Sequence, residues 1–418
     1  MIAIPAQPID RPATAVAPLR VLCLDIEGGY GGSSRSLYNT IRYLPAGDVS
    51  CEVWHRKAGP IAAMYEALGI PARQEPSIRS VAAFHRQLPS INDTVQEFAR
   101  LTFRDRSFRE RIKREITERF DLVHFNHEGL WLLALMLRRM GVDLPFTMHI
   151  RRVAPASAIA RFQASMINRA IDRLIFISEE ERVHIRNNGC AVDGIVVHNA
   201  VEPFDPDTPP HPAIPQDDRF KVASLANYSW ARGVDQIVDV AAALKRRGRN
   251  DILFVLAGNL EVPGSLPGPL GRIGRNGGGV RQWAIERGVE DMCLFLGHVS
   301  LPAQVIAGSQ ALIKTARRDF PWGRDILEGL GAGRPVLTTG TVETFVQTDV
   351  TGYLMHEFNP ETAAAVLCDW AGNRDKCERL GSAGRERVMA LCSGPGRSAD
   401  VLGFWRSAVS LRQRGIEA

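Results

Sequence analysis

Short apolar runs alternate with helical patterns along this chain of 418 residues, and no other feature restricts its fold as much. Residues 20–26 read RVLCLDI, a nearly continuous apolar run that is typical of a strand buried on both faces. Similar runs begin at residues 121, 145, 174 and 195, and helical patterns separate several of them. Strands that alternate with helices predict a parallel sheet with right-handed crossovers.

The alternation stops once and then begins again, which predicts two domains. Residues 202–218 read EPFDPDTPPHPAIPQDD, and the six prolines of this stretch indicate a stiff, extended linker. Strand patterns resume over residues 220–225 and again near residues 252, 294, 311 and 335. We therefore expect two doubly wound α/β domains in tandem. The Gly- and Pro-rich residues 259–279 suggest a mobile flap or a plain surface insertion.

Composition excludes several classes of protein. Hydrophobic residues make up 45% of the chain and charged residues 23%, as in ordinary globular proteins. The longest apolar run, residues 129–137, is far shorter than the ~20 residues of a membrane span. The seven cysteines include no CxxC pair, which favours reduced thiols in the cytoplasm.

The charge of the chain is unevenly distributed. The whole net charge of +5 lies in residues 1–200, which hold 26 Lys and Arg against 21 Asp and Glu. Part of this excess falls in residues 73–119, where Phe108, Ile112, Ile116 and Phe120 predict one apolar helix face. The opposite, basic face could contact anionic lipid at the inner membrane surface. A solvated helix with ion pairs is an equal alternative. Nucleic acid is not indicated, because no dense basic stripe with aromatic residues occurs.

Two segments could bind an anion. Gly28, Gly29, Gly31 and Gly32 follow the first strand, where backbone N–H groups can approach a ligand, although a turn without a ligand fits equally well. The second segment follows the strand that ends at residue 315. A helix is expected to begin near Gly323, so its first N–H groups, on residues 323–325, would be available to an anion.

The second segment also carries a family resemblance. Residues 323–340, GRDILEGLGAGRPVLTTG, resemble the C-terminal signature of the retaining GT-B glycosyltransferases of family 4, the glycosyl transferases group 1. Earlier in the chain, Gly31–Gly32, His149, Ser178–Glu179 and residues 198–201 occur in the order that this family shows. The resemblance covers about residues 20–410. It implies two Rossmann-like domains that face a central cleft, with the acceptor in the N-terminal domain and the nucleotide-sugar donor in the C-terminal domain.

The resemblance also implies the boundaries of the domains. They are a flexible N-terminal segment, an N-terminal domain, a linker, a C-terminal domain and a C-terminal helix that crosses back to the N-terminal domain. The corresponding residues are 1–19, 20–201, 202–218, 219–395 and 396–418.

Two positions depart from the family pattern. Phe320 stands where the family has its first Glu, and Asp319 is the candidate substitute beside the donor sugar. The family's Arg and Lys after the first C-domain strand correspond to Asn227 and Arg232, so one cation is retained and the other is lost. Arg317, Arg318 or Arg324 could supply the missing charge.

The family pattern implies a role for each candidate residue. Arg232, Asp319 and His149 are the catalytic candidates: Arg232 would hold the departing diphosphate, and the other two would lie by the donor sugar. Glu328 would accept the ribose hydroxyls, unless it is only a first-turn acid. His149 could instead be an ordinary core histidine, and His124 and His127 are expected only to pack or to line the cleft. The remaining donor-binding candidates are Gly31, Gly32, Asn227, Gly323, Arg324 and Asp325.

We therefore predict a glycosyltransferase that moves a hexose from a nucleotide-diphosphate sugar to an acceptor hydroxyl with retention. A surface glycan or a glycolipid is the expected product. No cofactor besides the donor is expected, and no metal, because Asp205 and Asp207 lie in the linker, where turns explain them. The alternatives are a catalytically silent GT-B scaffold and an epimerase or hydrolase of the same fold.

Overall fold

A computed structural model describes residues 17–29, 32–81, 88–317 and 323–417. The chain divides into two compact units: unit 1 comprises residues 1–200 and 394–418, and unit 2 comprises residues 201–393. Gly31, Asp319 and Phe320, as well as the segment 1–16, lie outside the described residues.

The strands are β1 (Leu19–Asp25), β2 (Val49–His55), β3 (Ala72–Gln74), β4 (Leu122–Phe125), β5 (Phe146–Ile150), β6 (Arg173–Phe176), β7 (Gly194–Val196), β8 (Phe220–Leu225), β9 (Ile252–Ala257), β10 (Cys293–Gly297), β11 (Ala311–Lys314), β12 (Val336–Thr339) and β13 (Gly352–Met355). The helices are α1 (Gly32–Ile41), α2 (Ile61–Ala67), α3 (Leu88–Ala99), α4 (Arg106–Arg119), α5 (Trp131–Arg139), α6 (Ala158–Ala170), α7 (Glu179–Asn187), α8 (Val234–Arg246), α9 (Gly268–Arg275), α10 (Val280–Glu286), α11 (Pro302–Ala307), α12 (Arg324–Gly331), α13 (Pro360–Gly372), α14 (Arg374–Cys392) and α15 (Gly394–Glu417).

Unit 1 is built on a parallel seven-stranded sheet in the order β3-β2-β1-β4-β5-β6-β7. The direction in which the sheet grows reverses between β1 and β4, so this unit has a topological switch point there. Residues 21–24 of β1 are fully buried, which agrees with the apolar run in the sequence. One core packs helices α4 to α6 on one face, and α15 packs with α1 on the other.

Unit 2 repeats the plan with six parallel strands in the order β10-β9-β8-β11-β12-β13. Here the switch point lies between β8 and β11. Helix α8 follows β8 and buries Ile237, Val240, Leu244 and their neighbours on the sheet. Helix α12 follows β11, so each of these two helices follows one of the two strands that flank the switch point.

The two predicted doubly wound α/β domains are confirmed, but the sequence patterns did not predict three of the strands. Strand β2 reads VSCEVWH, and strands β3 and β13 have only three and four residues. Their short or interrupted apolar patterns do not stand out from a loop.

The interpretation of residues 259–279 as an irregular loop was wrong in part, because α9 lies inside it. A Cβ atom at Gly271 would lie 1.6 Å from the Leu266 carbonyl oxygen, and one at Gly274 would lie 2.3 Å from that of Val262. The glycines that suggested a loop are therefore needed for this helix to pack closely on the chain before it. None of the described helices is long and apolar enough to cross a bilayer.

Candidate active site

The loops that follow β8 and β11 meet at the switch point of unit 2. Gly233, which precedes α8, has a φ of +62°. A Cβ atom there would lie 1.8 Å from the Thr315 carbonyl oxygen, so only glycine fits. The Thr315 hydroxyl donates to the Gly233 carbonyl oxygen at 2.7 Å. Ligands of open α/β sheets bind at this kind of position, outside the carboxyl ends of the strands at a switch point.

Arg232 lies in the loop after β8. It ends a 3₁₀ turn, Trp230–Arg232, whose start is capped by Ser229: the Ser229 hydroxyl accepts from the Arg232 N–H at 3.3 Å. The guanidinium is exposed, and its Nη1 donates to the Asn227 carbonyl oxygen at 3.2 Å. The turn thus presents a fixed positive charge to solvent beside the switch point.

Asn227 supports the same loop. Its side-chain oxygen accepts from the backbone N–H of Asn259 at 2.8 Å, which joins the loop after β8 to the loop after β9. Its carbonyl oxygen accepts from Arg232. Asn227 therefore helps to position Arg232.

Arg317 does not replace the missing cation, because its guanidinium is ion-paired with a carboxylate of this unit. Its guanidinium forms a two-bond ion pair with the buried Asp235 carboxylate, with one bond of 2.9 Å. Nη1 also donates to the Trp230 carbonyl oxygen at 3.0 Å, and the guanidinium lies 5.4 Å from the centre of the Trp230 ring. The Asp235 carboxylate raises the pKa of Arg317 above its ordinary value. Arg317 therefore fixes the turn that carries Arg232.

The N-terminus of α12 lies beyond β11, as the sequence predicted. The first helical bond runs from the Leu327 N–H to the Gly323 carbonyl oxygen at 3.0 Å. The N–H groups of the first turn lie ahead of this bond, at the start of the helix. Gly323 is extended, with a φ of 174°. The positive end of the helix dipole and these N–H groups suit an anion.

Lys314 is the residue of this site that the sequence patterns missed. Its ammonium lies 3.0 Å from an oxygen of Asp325, and both side chains are 14% exposed. A Cβ atom at Gly323 would lie 2.6 Å from the Lys314 nitrogen, so glycine makes room for this pair. The only sequence signal is a lysine at the carboxyl end of an otherwise apolar strand, a place where side chains reach the ligand edge of the sheet.

Glu328 and Arg324 share the first turns of α12. Arg324 Nη2 donates to Glu328 Oε1 at 3.1 Å, and each side chain is 19% exposed. This contact orients the carboxylate. The structure thus brings together Gly323, Arg324, Asp325 and Glu328 on one helix.

The remaining candidates lie in unit 1. Gly32 begins α1, but a Cβ atom there would meet nothing within 4 Å, so packing does not require glycine at this position. Gly28 is the constrained glycine of the cluster, because its Cβ would lie 1.7 Å from the Lys57 carbonyl oxygen. The glycine cluster therefore owes part of its composition to packing.

His149 lies on β5 and is 6% exposed. Its Nδ1 lies 3.2 Å from Arg151 Nη2, and its Nε2 is buried with no hydrogen-bond partner among the described residues. Burial and then the charge of Arg151 lower the pKa of His149 well below its ordinary value. The ring is therefore neutral at physiological pH, and one of its nitrogens has an unused hydrogen-bonding capacity.

The two other histidines of this region have structural partners. His124 Nδ1 lies 2.9 Å from the Thr147 hydroxyl, and burial lowers the pKa of His124 to about 3. His127 Nδ1 accepts from the Gly129 N–H at 2.9 Å and so caps the following 3₁₀ turn. The packing role expected for His124 agrees with these contacts, whereas His127 adds a cap that the sequence patterns did not indicate.

Several arginines on the basic face of α4 form ion pairs. Arg106 pairs with Glu110 at 2.8 Å, and Arg111 pairs with Glu75 at 2.8 Å. Arg119 contacts the carboxylate of Glu52. The apolar face is buried as predicted, since Phe108, Ile112, Ile116 and Phe120 are each at most 5% exposed. Among the described residues, no cluster of His, Cys, Asp and Glu could hold a metal.

Family comparisons agree with this architecture. Residues 210–387 match the family described as Glycosyl transferases group 1, and residues 30–203 match Glycosyltransferase Family 4. Together the two matches cover most of both units, and the chain belongs to the GT-B glycosyltransferases. No curated protein matches the chain in sequence.

Solved structures share the fold at low sequence identity. HepE of Anabaena, solved with UDP-glucose, is 17% identical with a TM-score of 0.68, over 93% of this chain and 100% of that one. The sucrose-phosphate synthase of Thermosynechococcus elongatus is 15% identical with a TM-score of 0.68, over 94% and 100%. A lipopolysaccharide outer core galactosyltransferase, WaaB, is 15% identical with a TM-score of 0.63, over 93% and 100%.

Proposed function

We propose that this glycosyltransferase moves a hexose from a nucleoside-diphosphate sugar to an acceptor hydroxyl with retention of configuration. The observation that carries the proposal is the placement of Arg232 and the N-terminus of α12 next to β8 and β11, at the switch point of unit 2. Two independent sources of positive potential there suit a diphosphate. Because HepE was solved with UDP and with UDP-glucose, uracil is the first base to test in the donor.

The chemistry requires positive potential at the leaving group. As the glycosidic bond to the diphosphate breaks, negative charge grows on the departing phosphate. Fixed donors aimed at that charge stabilise the transition state more than the ground state. Arg232 and the first N–H groups of α12 supply such donors, so the proposed reaction needs no metal. A chelator such as EDTA should leave the rate unchanged.

The other residues hold the substrates. Glu328, oriented by Arg324, accepts the two ribose hydroxyls of the nucleotide. Asp319 stands in for the family's first Glu beside the donor sugar. His149 offers a ring N–H to a substrate hydroxyl.

The acceptor is proposed to be a carbohydrate or a lipid-linked carbohydrate of a surface glycan. The support is the fold shared with a lipopolysaccharide outer core galactosyltransferase. Sucrose-phosphate synthase shares the fold to a similar degree, so acceptor panels should also include a sugar phosphate.

A panel of nucleotide sugars tests the function. The full chain is incubated with UDP-, GDP- and ADP-linked hexoses without acceptor, and release of the nucleoside diphosphate is followed. At least one donor should be hydrolysed, and proton NMR should show that the first sugar released has the anomeric configuration of the donor. Absence of both hydrolysis and nucleotide binding across the panel would favour a silent scaffold, and first release of the opposite anomer would contradict retention.

Membrane contact through α4 is not part of this proposal. The partners of Arg106, Arg111 and Arg119 favour the solvated, ion-paired alternative. Sedimentation with liposomes should therefore show equal binding to neutral and anionic vesicles. Binding that rises with anionic lipid and falls with salt would restore the membrane hypothesis.

A further inference from the structure

Arg151 joins several elements at the carboxyl edge of the sheet of unit 1. Its Nε donates to the Asn126 carbonyl oxygen at 2.7 Å, and its Nη2 donates to the side-chain oxygen of the same residue. Its backbone N–H donates to Glu128 Oε2 at 3.0 Å. Nη1 lies 3.5 Å from the side-chain oxygen of Asn199. These bonds leave the guanidinium little freedom to turn.

The fixed guanidinium determines which nitrogen of His149 carries the proton. Arg151 can only donate, so Nδ1 of His149, 3.2 Å from Nη2, must present its lone pair. In a neutral imidazole the hydrogen is then on Nε2. Among the described residues this N–H has no partner, although the nitrogen is buried. A buried donor without an acceptor is costly and rare, and a ligand oxygen would satisfy it.

We propose that Arg151 is a positioning residue that holds His149 as the neutral Nε2–H tautomer, so that His149 donates a hydrogen bond to a substrate oxygen and does not act as a base. This inference deepens the proposed function and rests on it. It adds a residue that the family signature does not contain. It also assigns a direction to the hydrogen bond of His149.

The surroundings of His149 support the neutral form. Arg151 lies on the same side of the ring as Nδ1, and protonation there would remove the lone pair that the guanidinium uses. From β4, the ring of His124 packs against His149 with centroids 5.8 Å apart, and His127 follows that strand. These rings belong to the packing that buries His149, and burial, followed by the charge of Arg151, disfavours the protonated form.

Nitrogen-15 NMR of the histidine rings tests the proposal without relying on activity. The full chain is labelled at its ten histidines, and the His149 signals are assigned by their loss in His149→Gln. The wild type should show a protonated Nε2 and a bare Nδ1, unchanged from pH 5 to pH 8. Arg151→Met should give mixed tautomers and a higher pKa of His149, because the neighbouring positive charge is removed. Arg151→Lys, which keeps a donor and the charge, should restore part of the wild-type spectrum.

Arg152→Met is the matched control. Arg152 has the same charge and follows Arg151 in the chain, but its guanidinium lies 3.8 Å from Glu128 Oε1. This variant should leave the His149 tautomer as in the wild type. If Arg151→Met does not fold, the wild-type spectrum alone still decides, because a proton on Nδ1 would overturn the proposal.

Two failures can be told apart. A wild-type spectrum without a fixed Nε2–H, or an Arg151→Met spectrum equal to the wild type, refutes the positioning role even if sugar transfer is observed. If the tautomer is fixed as proposed but no nucleotide sugar binds or reacts, the proposed function fails instead. Under both proposals, Arg151→Met should lower kcat, and Arg151→Lys should recover part of it.

Discussion

Replacing Arg317 with methionine should destabilise unit 2 and slow sugar transfer, although Arg317 is not assigned to the substrate. The substitution removes both bonds to Asp235, the bond to the Trp230 carbonyl oxygen and the contact with the Trp230 ring. It leaves the Asp235 carboxylate, whose side chain is 3% exposed, without its partner cation.

The size of the effect follows from this burial. Removal of one partner of a buried ion pair costs about 3–5 kcal/mol, whereas an exposed pair contributes up to about 1 kcal/mol. The Arg317 side chain is 20% exposed, so we expect the lower end, about 3 kcal/mol. For a domain the size of unit 2, this corresponds to a fall in Tm of roughly 6–12 °C. Loosening the turn should also misplace Arg232, and a shift of about 1 Å can lower a rate by ~10².

Calorimetric scans of the full chain measure the loss, with Arg287→Met as the matched control. Arg287 also pairs with a carboxylate of α8, Asp239, at 3.2 Å, but its side chain is 40% exposed. The control should lose less than about 1 kcal/mol. A double-mutant cycle with Asp235→Asn should give a coupling of at least about 1 kcal/mol. Equal losses for Arg317→Met and Arg287→Met, or no coupling, would refute the reasoning.

Two further substitutions have different expected outcomes. Glu328→Gln should raise KM more than it lowers kcat, because the ribose contact exists in ground and transition states alike. Calorimetry should also show weaker binding of the free nucleoside diphosphate. Unchanged nucleotide binding would remove Glu328 from the site. Burial raises the pKa of Glu181 from 4.5 to about 7, so folding favours its protonated form and stability should fall as the pH rises from 4.5 to 7. The free energy of unfolding should therefore fall by about 3 kcal/mol more in the wild type than in Glu181→Gln as the pH rises from 4 to 8. Urea titrations measure this difference, and parallel pH profiles of the two proteins would contradict it.

The sequence predicted the elements whose patterns are local. Buried central strands such as β1 and β8 are nearly continuous apolar runs, and the start of α12 is marked by Gly323. Helix α9 was missed because its glycines are required by close backbone packing, which acts between segments and leaves no periodic signal. The short strand β3 was missed because it has too few residues to show a pattern.

For the candidate site, sequence motifs selected residues, but the contacts between side chains could not be read from the sequence. The positions of Arg232 and Glu328 follow from the family signature. The role of Arg317 could not be predicted, because the three arginines of that segment have the same charge and the sequence does not show that Asp235 lies beside Arg317. The tautomer of His149 likewise depends on Arg151, and a sequence carries no information on which nitrogen a guanidinium faces.

The rate of donor hydrolysis by Arg232→Ala tests the central claim most directly. If Arg232 stabilises the departing diphosphate, kcat should fall by about 10²–10³, the cost of losing one preorganised donor, and Arg232→Lys should recover part of the loss. Arg246→Ala is the control, because Arg246 is an exposed arginine at the far end of α8 that pairs with Glu361 at 2.6 Å. It should keep the wild-type rate. Near-normal turnover by Arg232→Ala would contradict the assignment of the donor site to the switch point of unit 2.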